Sequence, residues 1–523
     1  MVSLASLPRD VLLEIFSYFC LHCRGDLRPL KGVGTPHQQK RRCREPQQPD
    51  QKSWYSVDKY TLFSLAASCK SLHAVAEDIL YHDFAPGYGD SELSELYTFG
   101  NRLNQFMRTV GSRKDLAGKV RFLFVHPKHS NGSVKRIVLS LKQGAADLGI
   151  DIAQSWRYRA EHFMKSWTPE QMQAWGVQHE YQFMLNSAFT DEILEYPLLS
   201  TRQHYLERGL DRLVSKTYSI TANNLYRSLH HELIPMLIAM LPKLSHIIYT
   251  SKTVFEEFQH TAFDDLGVTK LPHLRTLELD RDLFSILKRA PNLEQLDIID
   301  SFSSGTDQGP GGDQSMIRTL RLENTSLPAE LGRRLSFAAK DLRSFVVESS
   351  GAFPRRWVPA DAFRKLCDYR HSLETLHLDL RCAKLISRPG RRDSTFRDFG
   401  KLQHVFLNTR LMFHISPERC SITGLLPPSI VSLHLAWDGL ELDPNEWGDL
   451  PLRFVDESVK QQRELSHLGQ ALLELASVKA ERFQDLKHIG IDCWDKVDAA
   501  VQKALLEAGI GFVPESWPSA YQK

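Results

Sequence analysis

The sequence predicts an α/β protein in three parts: a small helical module at the N-terminus, a mainly helical connecting region, and a repetitive solenoid with a parallel sheet. Two observations predict it. A helical apolar pattern opens the chain and resumes after a polar interruption, and a short apolar triplet recurs through the second half. The boundaries that follow are 1–84, 85–240 and 241–523.

The first helix is predicted over the stretch "LPRDVLLEIFSYF", residues 7–19. Pro8 suits the first helical turn, because its missing N–H has no intrahelical acceptor there. Asp10 places negative charge near the positive end of the helix dipole. Apolar side chains cover most of the circumference in two stripes, which are Val11, Ile15 and Phe19, then Leu12 and Phe16. A helix of this kind must be covered on more than one side.

A polar segment interrupts the helical pattern at about 24–58. It is rich in Gln, Pro and basic residues and buries too little surface to offset its ordering entropy, so it predicts a flexible insertion. Two helices follow, with apolar positions at Leu62, Leu65, Ala66 and Cys69, then at Leu72, Val75, Ala76, Ile79 and Leu80. These three helices make up the N-terminal module.

The connecting region at 85–240 is predicted to be mainly helical. "TPEQ" at 168–171 marks a helix start, since Pro169 then stands at the first helical position. "VRFLFV" at 120–125 is the strand candidate of this region.

The second half of the chain repeats a triplet of apolar residues, first clear in "LRTLEL" at 274–279. The central positions are 277, 296, 320, 345, 376, 405 and 433, and positions 247 and 489 extend the series at its two ends. Between positions 277 and 433 the intervals are 19 to 31 residues, which matches the period of leucine-rich repeats with some units lengthened. Each unit supplies one short strand and a return segment, and stacked units share a continuous core. The sequence therefore predicts a leucine-rich-repeat-like solenoid with a parallel sheet.

Together the two patterns resemble one family. "LPRDVLLEIFSYF" followed by "LFSLAASCKSLHAVA" resembles an F-box, the helical module that docks a protein onto the Skp-type adaptor of an SCF ubiquitin ligase. An F-box followed by irregular leucine-rich repeats is a common pairing, and this version resembles fungal members. Asp10 stands where Glu is usual, the insertion is long, and the Asn or Cys expected after each repeat strand is absent. The resemblance implies a set of adaptor-binding residues, which are Leu7, Pro8, Val11, Leu12, Ile15, Phe16, Leu65, Cys69 and Leu72.

The resemblance also implies a non-catalytic substrate adaptor. The F-box would dock the Skp-type adaptor and through it a cullin, while the repeats capture a protein substrate for ubiquitin transfer. The alternative is a ligase-independent repeat scaffold whose N-terminal helices cap the solenoid. A cap should have a polar outer face, and the apolar first helix therefore favours the ligase adaptor.

Residues that flank the core positions of each repeat strand should face the concave surface. Several are carboxylates, so they predict an acidic groove for a Lys- or Arg-bearing segment, with apolar contact from Phe406. The substrate-binding candidates are Glu278, Asp280, Glu323, Glu348, Asp379 and Phe406. Solvated charge that only keeps a strand face hydrated is the favoured alternative.

Composition narrows the class of protein. A formal net charge of +2, from 65 Lys and Arg against 63 Asp and Glu, argues against a protein that is basic overall to hold nucleic acid. No apolar run approaches a membrane span, and the N-terminal stretch has no basic region typical of a signal peptide. Motifs for nucleophilic, phosphate-binding or zinc-protease chemistry are absent, so we expect no enzyme activity and no cofactor. The expected location is cytoplasmic or nuclear.

Eight scattered cysteines fit a reducing compartment better than a disulfide framework. Cys20, Cys23, His37 and Cys43 could hold one structural zinc, because a CxxC pair with a distant His and Cys is a known ligand set. Free thiols are the favoured alternative, and so no metal is expected. "KRRCR" at 40–44 is a weak nuclear-import or nucleic-acid signal, and a solvated basic stretch is favoured.

Overall fold

The structure is a computed structural model of the chain. The described residues are 3–24, 54–86, 102–125, 134–151, 233–249, 263–264, 266–280, 284–287, 289–299, 316–323, 341–348, 356–357, 366–380, 384–385, 395–409, 421–437, 457–491 and 497–514. They fall into two compact units, one within Met1–Leu27 and Arg44–Pro291 and the other within Asn292–Lys523. Of the strands that the structure describes, fourteen pair in parallel, four in the first unit and ten in the second. The predicted α/β class with a parallel sheet is confirmed.

The first unit contains most of the described helices. They are α1 (Arg9–Ser17), α2 (Leu21–Arg24), α3 (Trp54–Ser68), α4 (Lys70–Leu80), α5 (Arg102–Ser112), α6 (Lys114–Ala117) and α7 (Val134–Leu148), followed by the helix at 233–240 and the short helix Phe284–Leu287. Helices α1, α3 and α4 pack on one another around a shared core. Gly144 lets α7 approach the helix at 233–240, where a Cβ would lie 2.8 Å from Cε of Met240.

Two boundaries of the N-terminal helices differ from the sequence prediction. Helix α1 begins at Arg9, because Leu7 and Pro8 both have extended ψ values of 148°, as the residue before a proline usually does. Helix α3 begins at Trp54, inside the segment predicted as an insertion. Two contacts hold its first turns in place: Tyr55 packs beside a buried apolar cluster, and Asp58 accepts a hydrogen bond from Arg24 at 3.1 Å. Residues 25–53, the rest of the predicted insertion, lie outside the described residues.

The first unit carries four parallel strands in chain order. They are β1 (Asp83–Phe84), β2 (Phe122–Val125), β3 (His246–Tyr249) and β4 (Thr276–Asp280). Strand β2 is the predicted "VRFLFV" strand, and its Leu123 pairs with Ile247, which in turn pairs with Leu277. The parallel strands therefore begin well before residue 241, upstream of the predicted repeat region.

The second unit carries β5 (Gln295–Ile299), β6 (Thr319–Glu323), β7 (Ser344–Glu348), β9 (Thr375–Asp379), β11 (His404–Asn408), β12 (Ser432–Ala436), β13 (His488–Ile491) and β14 (Gly511–Pro514) in that order. A separate pair joins β8 (Arg356–Trp357) and β10 (Lys384–Leu385). The helices are Ile422–Leu425, Glu457–Arg482 and Ala499–Glu507, with a 3-10 turn at Cys367–Tyr369. The Asp498 side chain caps the last helix by accepting a hydrogen bond from the Ala500 N–H at 2.8 Å.

The central residues of the predicted triplets lie side by side on neighbouring strands. Leu296 pairs with Leu320, Leu320 with Phe345 and Phe345 with Leu376. The same alignment continues through Val405, Leu433 and Ile489 to Phe512. The triplet centres are almost fully buried, so they form one continuous apolar row in the second unit.

Candidate functional site

Helix α1 has one buried face and one face that is partly open. Leu12 and Phe16 are fully buried in the core shared with α3 and α4. Val11 is 44% exposed, Tyr18 is exposed and Ile15 is half-buried. Residues three or four positions apart share a helix face, so Val11, Ile15 and Tyr18 form an apolar stripe, called here the α1 stripe. Its members are available for contact outside the module.

Helix α3 also exposes apolar side chains. Leu62 on this helix is buried in the shared core, whereas Tyr60 is 70% exposed and Phe63 is 59% exposed. Val57, one turn before Tyr60, is exposed as well. Contiguous apolar patches on a protein surface are typical of interaction sites, so this side of α3 is a second candidate contact surface.

The remaining family-implied residues divide between core and surface. Leu72 is buried, while Leu7 and Leu65 are partly buried and pack against the same core. Pro8 and Cys69 are exposed. Cys69 lies between α3 and α4, and its hydrogen bond with the Ser71 hydroxyl, 3.2 Å away, lowers the pKa of the thiol below its usual value. The set implied by the resemblance thus contains both residues that build the module and residues that reach its surface.

The carboxylates predicted for the substrate groove are aligned by strand register. Glu323 on β6, Glu348 on β7 and Asp379 on β9 are direct neighbours. Glu348 and Asp379 are half-buried, and the side chains of Asp280 and Glu323 lie outside the described residues. Glu348 forms an ion pair with Arg321 of the neighbouring strand, so its negative charge is compensated within the sheet.

One residue of each repeat strand lies between its two core positions. These residues were expected on the concave surface and are instead buried. The described members of this row with low exposure are Glu278, Asp297, Arg321, Val346, His377, Phe406 and His434. Strands of parallel sheets are commonly covered on both faces and then read as nearly continuous apolar runs. The sequence "VFL" at 405–407 is such a run, but polar residues of the same row, such as Asp297 and Arg321, obscure the signal. Two of the substrate-binding candidates, Glu278 and Phe406, therefore lie in the interior.

Four sulfur- and nitrogen-bearing side chains converge beside the start of β1. The potential ligand atoms of Cys20, His22, Cys23 and His82 all lie within 4.8 Å of one another. Sγ of Cys23 lies 3.2 Å from Nδ1 of His82 and 3.9 Å from Nδ1 of His22. We call this group the Cys–His cluster. It brings together two residues of the predicted zinc set, Cys20 and Cys23, whereas His37 and Cys43 lie outside the described residues.

The environment shifts the proton affinities of the cluster. The pKa of the Cys20 thiol is raised by its hydrogen bond with Cys23 and by burial. The same hydrogen bond lowers the pKa of the Cys23 thiol. Burial lowers the pKa of His22. It also lowers the pKa of His246, whose ring centroid is 6.0 Å from that of His22, to about 4. Burial therefore favours the neutral imidazole, the form that can donate a lone pair, at His22 and His246.

Sequence reasoning missed two members of the cluster. His22 stands inside the CxxC pattern itself, so "CLHC" at 20–23 carried a local signal for a third ligand. His82 is separated from Cys23 by 59 positions, and only the packing of α4 against α1 brings the start of β1 to this point.

Comparisons with protein-family models, curated proteins and solved structures found no match to this chain. Of the helices that the structure describes, none combines the length and apolar character needed to cross a membrane.

Proposed function

We propose that this protein is a non-catalytic subunit of an SCF-type ubiquitin ligase, which docks a Skp-type adaptor, and through it a cullin, and presents a protein substrate. The observation that carries the proposal is the α1 stripe. It consists of apolar side chains left open on a helix whose opposite face is already buried, and it lies within the stretch that resembles an F-box.

The energetics of the α1 stripe favour a protein partner. Burial of one large aliphatic side chain contributes about 1.5–3 kcal/mol, which corresponds to roughly a tenfold to hundredfold gain in affinity. Arg9, Asp10 and Glu14 are exposed on the same helix and would supply the polar rim that surrounds the apolar centre of a typical interface. The exposed Tyr60 and Phe63 of α3 add two aromatic side chains, a type enriched at interfaces.

The strands support the substrate-capturing half of the proposal. Triplet centres lie in register on successive parallel strands of the second unit. We infer that these strands belong to a leucine-rich-repeat-like solenoid, an architecture whose extended surface suits capture of a protein segment. A ligase subunit of this kind works in the cytoplasm or the nucleus.

The experiment that tests adaptor docking is Val11→Asp in the full chain, followed by co-purification with a Skp-type adaptor and cullin. Because Val11 is 44% exposed, this change should abolish co-purification without lowering the midpoint of thermal unfolding. Glu14→Gln, at an exposed polar position of the same helix, is the matched control and should bind normally. Leu12→Ala should lower the free energy of unfolding by about 2–5 kcal/mol instead, since it opens a cavity in the core.

A wild-type chain that fails to bind the adaptor at micromolar concentrations would show the ligase proposal to be wrong. Affinity purification with the proteasome blocked, followed by mass spectrometry, separates the two function classes. A captured partner that arrives together with adaptor and cullin supports the ligase subunit. A partner that arrives without them favours the ligase-independent scaffold.

A further inference from the structure

The Cys–His cluster offers a donor set that matches zinc. Structural zinc sites are four-coordinate and use thiolates at about 2.3 Å and imidazoles at about 2.0–2.1 Å. In a tetrahedron, those bond lengths place neighbouring donor atoms roughly 3.3–3.8 Å apart. The Sγ–Nδ1 separations from Cys23 are 3.2 Å to His82 and 3.9 Å to His22. Small side-chain movements would therefore enclose an ion.

Main-chain hydrogen bonds fix both segments that carry the donors. The N–H of Cys20 donates to the carbonyl of Ser17 at 3.1 Å, at the end of α1. The carbonyl of His82 accepts from the N–H groups of Arg121 and Phe122 at 2.8 and 3.0 Å. Donors held on an ordered backbone lose little freedom when they bind a metal, which raises affinity.

A buried carboxylate supports the cluster from outside. Asp83 accepts a hydrogen bond from the Leu21 N–H at 3.0 Å, and its Oδ2 lies 3.7 Å from Sγ of Cys20. Its charge is balanced by an ion pair with Lys59. Two thiolates would neutralise a divalent cation, so the occupied site would add no net charge to this buried region. Through the Leu21 N–H, Asp83 holds in place the main chain between the donors Cys20 and His22.

We propose that Cys20, His22, Cys23 and His82 bind one zinc ion. All four belong to the first unit, where the ion would tie the segment after α1 to the start of β1. This structural site is independent of ubiquitin-ligase function. It also replaces His37 and Cys43 of the sequence-based ligand set with His22 and His82.

The test is the metal content of the full chain purified under reducing conditions. We expect about one zinc ion per chain, as in other structural sites. Cys23→Ser and His82→Gln should each reduce zinc retention strongly during dialysis against a weak chelator. Cys367→Ser, which removes an exposed free thiol of the second unit, is the matched control and should retain the ion. Replacement of the zinc by cobalt should give the visible absorption of tetrahedral cobalt with thiolate ligands. The thiolate-to-cobalt charge-transfer band should be weaker in the Cys23→Ser variant.

A second measurement needs no variant. Removal of zinc from the wild-type chain by a strong chelator should lower the midpoint of thermal unfolding, and zinc should restore it, because binding energy at a structural site adds to folding stability. The proposal is overturned if the reduced wild-type chain takes up neither zinc nor cobalt. It is equally overturned by a Cys20–Cys23 disulfide in place of the metal, or by zinc that survives His82→Gln but is lost in Cys43→Ser.

Discussion

The imidazole of His377 lies flat against the ring of Phe406, with the ring centroids 3.9 Å apart and the ring planes within 6° of parallel. The two residues are direct neighbours on β9 and β11, and both are buried. Cross-strand aromatic contacts of this kind stabilise a sheet. Phe406 therefore contributes to the folding of the second unit.

We expect Phe406→Ala to lower the free energy of unfolding by about 3–5 kcal/mol, because it removes a fully buried ring and leaves a cavity. Urea unfolding of the full chain, followed by circular dichroism, measures this. Phe406→Leu keeps much of the buried volume and should lower the free energy of unfolding by less than Phe406→Ala does. If Phe406→Ala left stability unchanged and impaired only substrate capture, Phe406 would instead act at the binding surface.

The Arg321–Glu348 ion pair should contribute far more to stability than the surface pair Arg343–Glu374. The Arg321 and Glu348 side chains are only 4% and 12% exposed, so Glu348→Gln takes a negative partner from a buried cation and should cost about 3–5 kcal/mol. The Arg343 and Glu374 groups are 3.8 Å apart and 47% and 42% exposed, so Glu374→Gln should cost about 0–1 kcal/mol. Equal effects of the two changes on urea unfolding would contradict this assignment.

The acidic groove stays a prediction, and the ion pair changes how it should be tested. Glu323→Gln with Asp379→Asn leaves Glu348 and its partner Arg321 in place, so the sheet should remain folded. We expect weaker substrate capture at low salt and a smaller loss of capture on raising salt, because fewer carboxylates attract a basic segment. Quantitative mass spectrometry of co-purified proteins measures both quantities. A salt response equal to that of the wild type would place the substrate site elsewhere, with adaptor binding as the internal control.

Replacement of residues 25–53 by a short Gly/Ser linker should leave adaptor binding and thermal stability nearly unchanged. Extension of the replacement to residue 58 should lower stability, because it removes Tyr55 and Asp58. The Tyr55 hydroxyl donates a hydrogen bond to the Asp83 carbonyl at 3.1 Å, and the Asp58 carboxylate accepts one from Arg24. Differential scanning calorimetry compares the two deletions directly. A large loss of stability on replacing 25–53 alone would show that those residues are part of the folded core.

The sequence by itself predicted the helices of the N-terminal module and the strand positions of the repeats. Both follow from short-range patterns: apolar residues three and four apart define one helix face, and alternate residues define one strand face. The triplets around Leu320, Phe345 and Leu376 carried enough of this pattern to place β6, β7 and β9 and to predict their parallel order. Strand β1, only two residues long, gave no comparable signal.

Only the tertiary structure decided which side chains meet. The row that contains His377 and Phe406 carries polar residues such as Asp297 and Arg321 on neighbouring strands, so the sequence pattern is that of a solvent face. Only the structure shows that His377 and Phe406 are covered. Position in the chain could not place His82 beside Cys23 either, since they are 59 positions apart and the contact depends on how α4 packs against α1. Local patterns specify the elements because they depend on neighbouring residues, whereas burial and the Cys–His cluster depend on how distant segments pack.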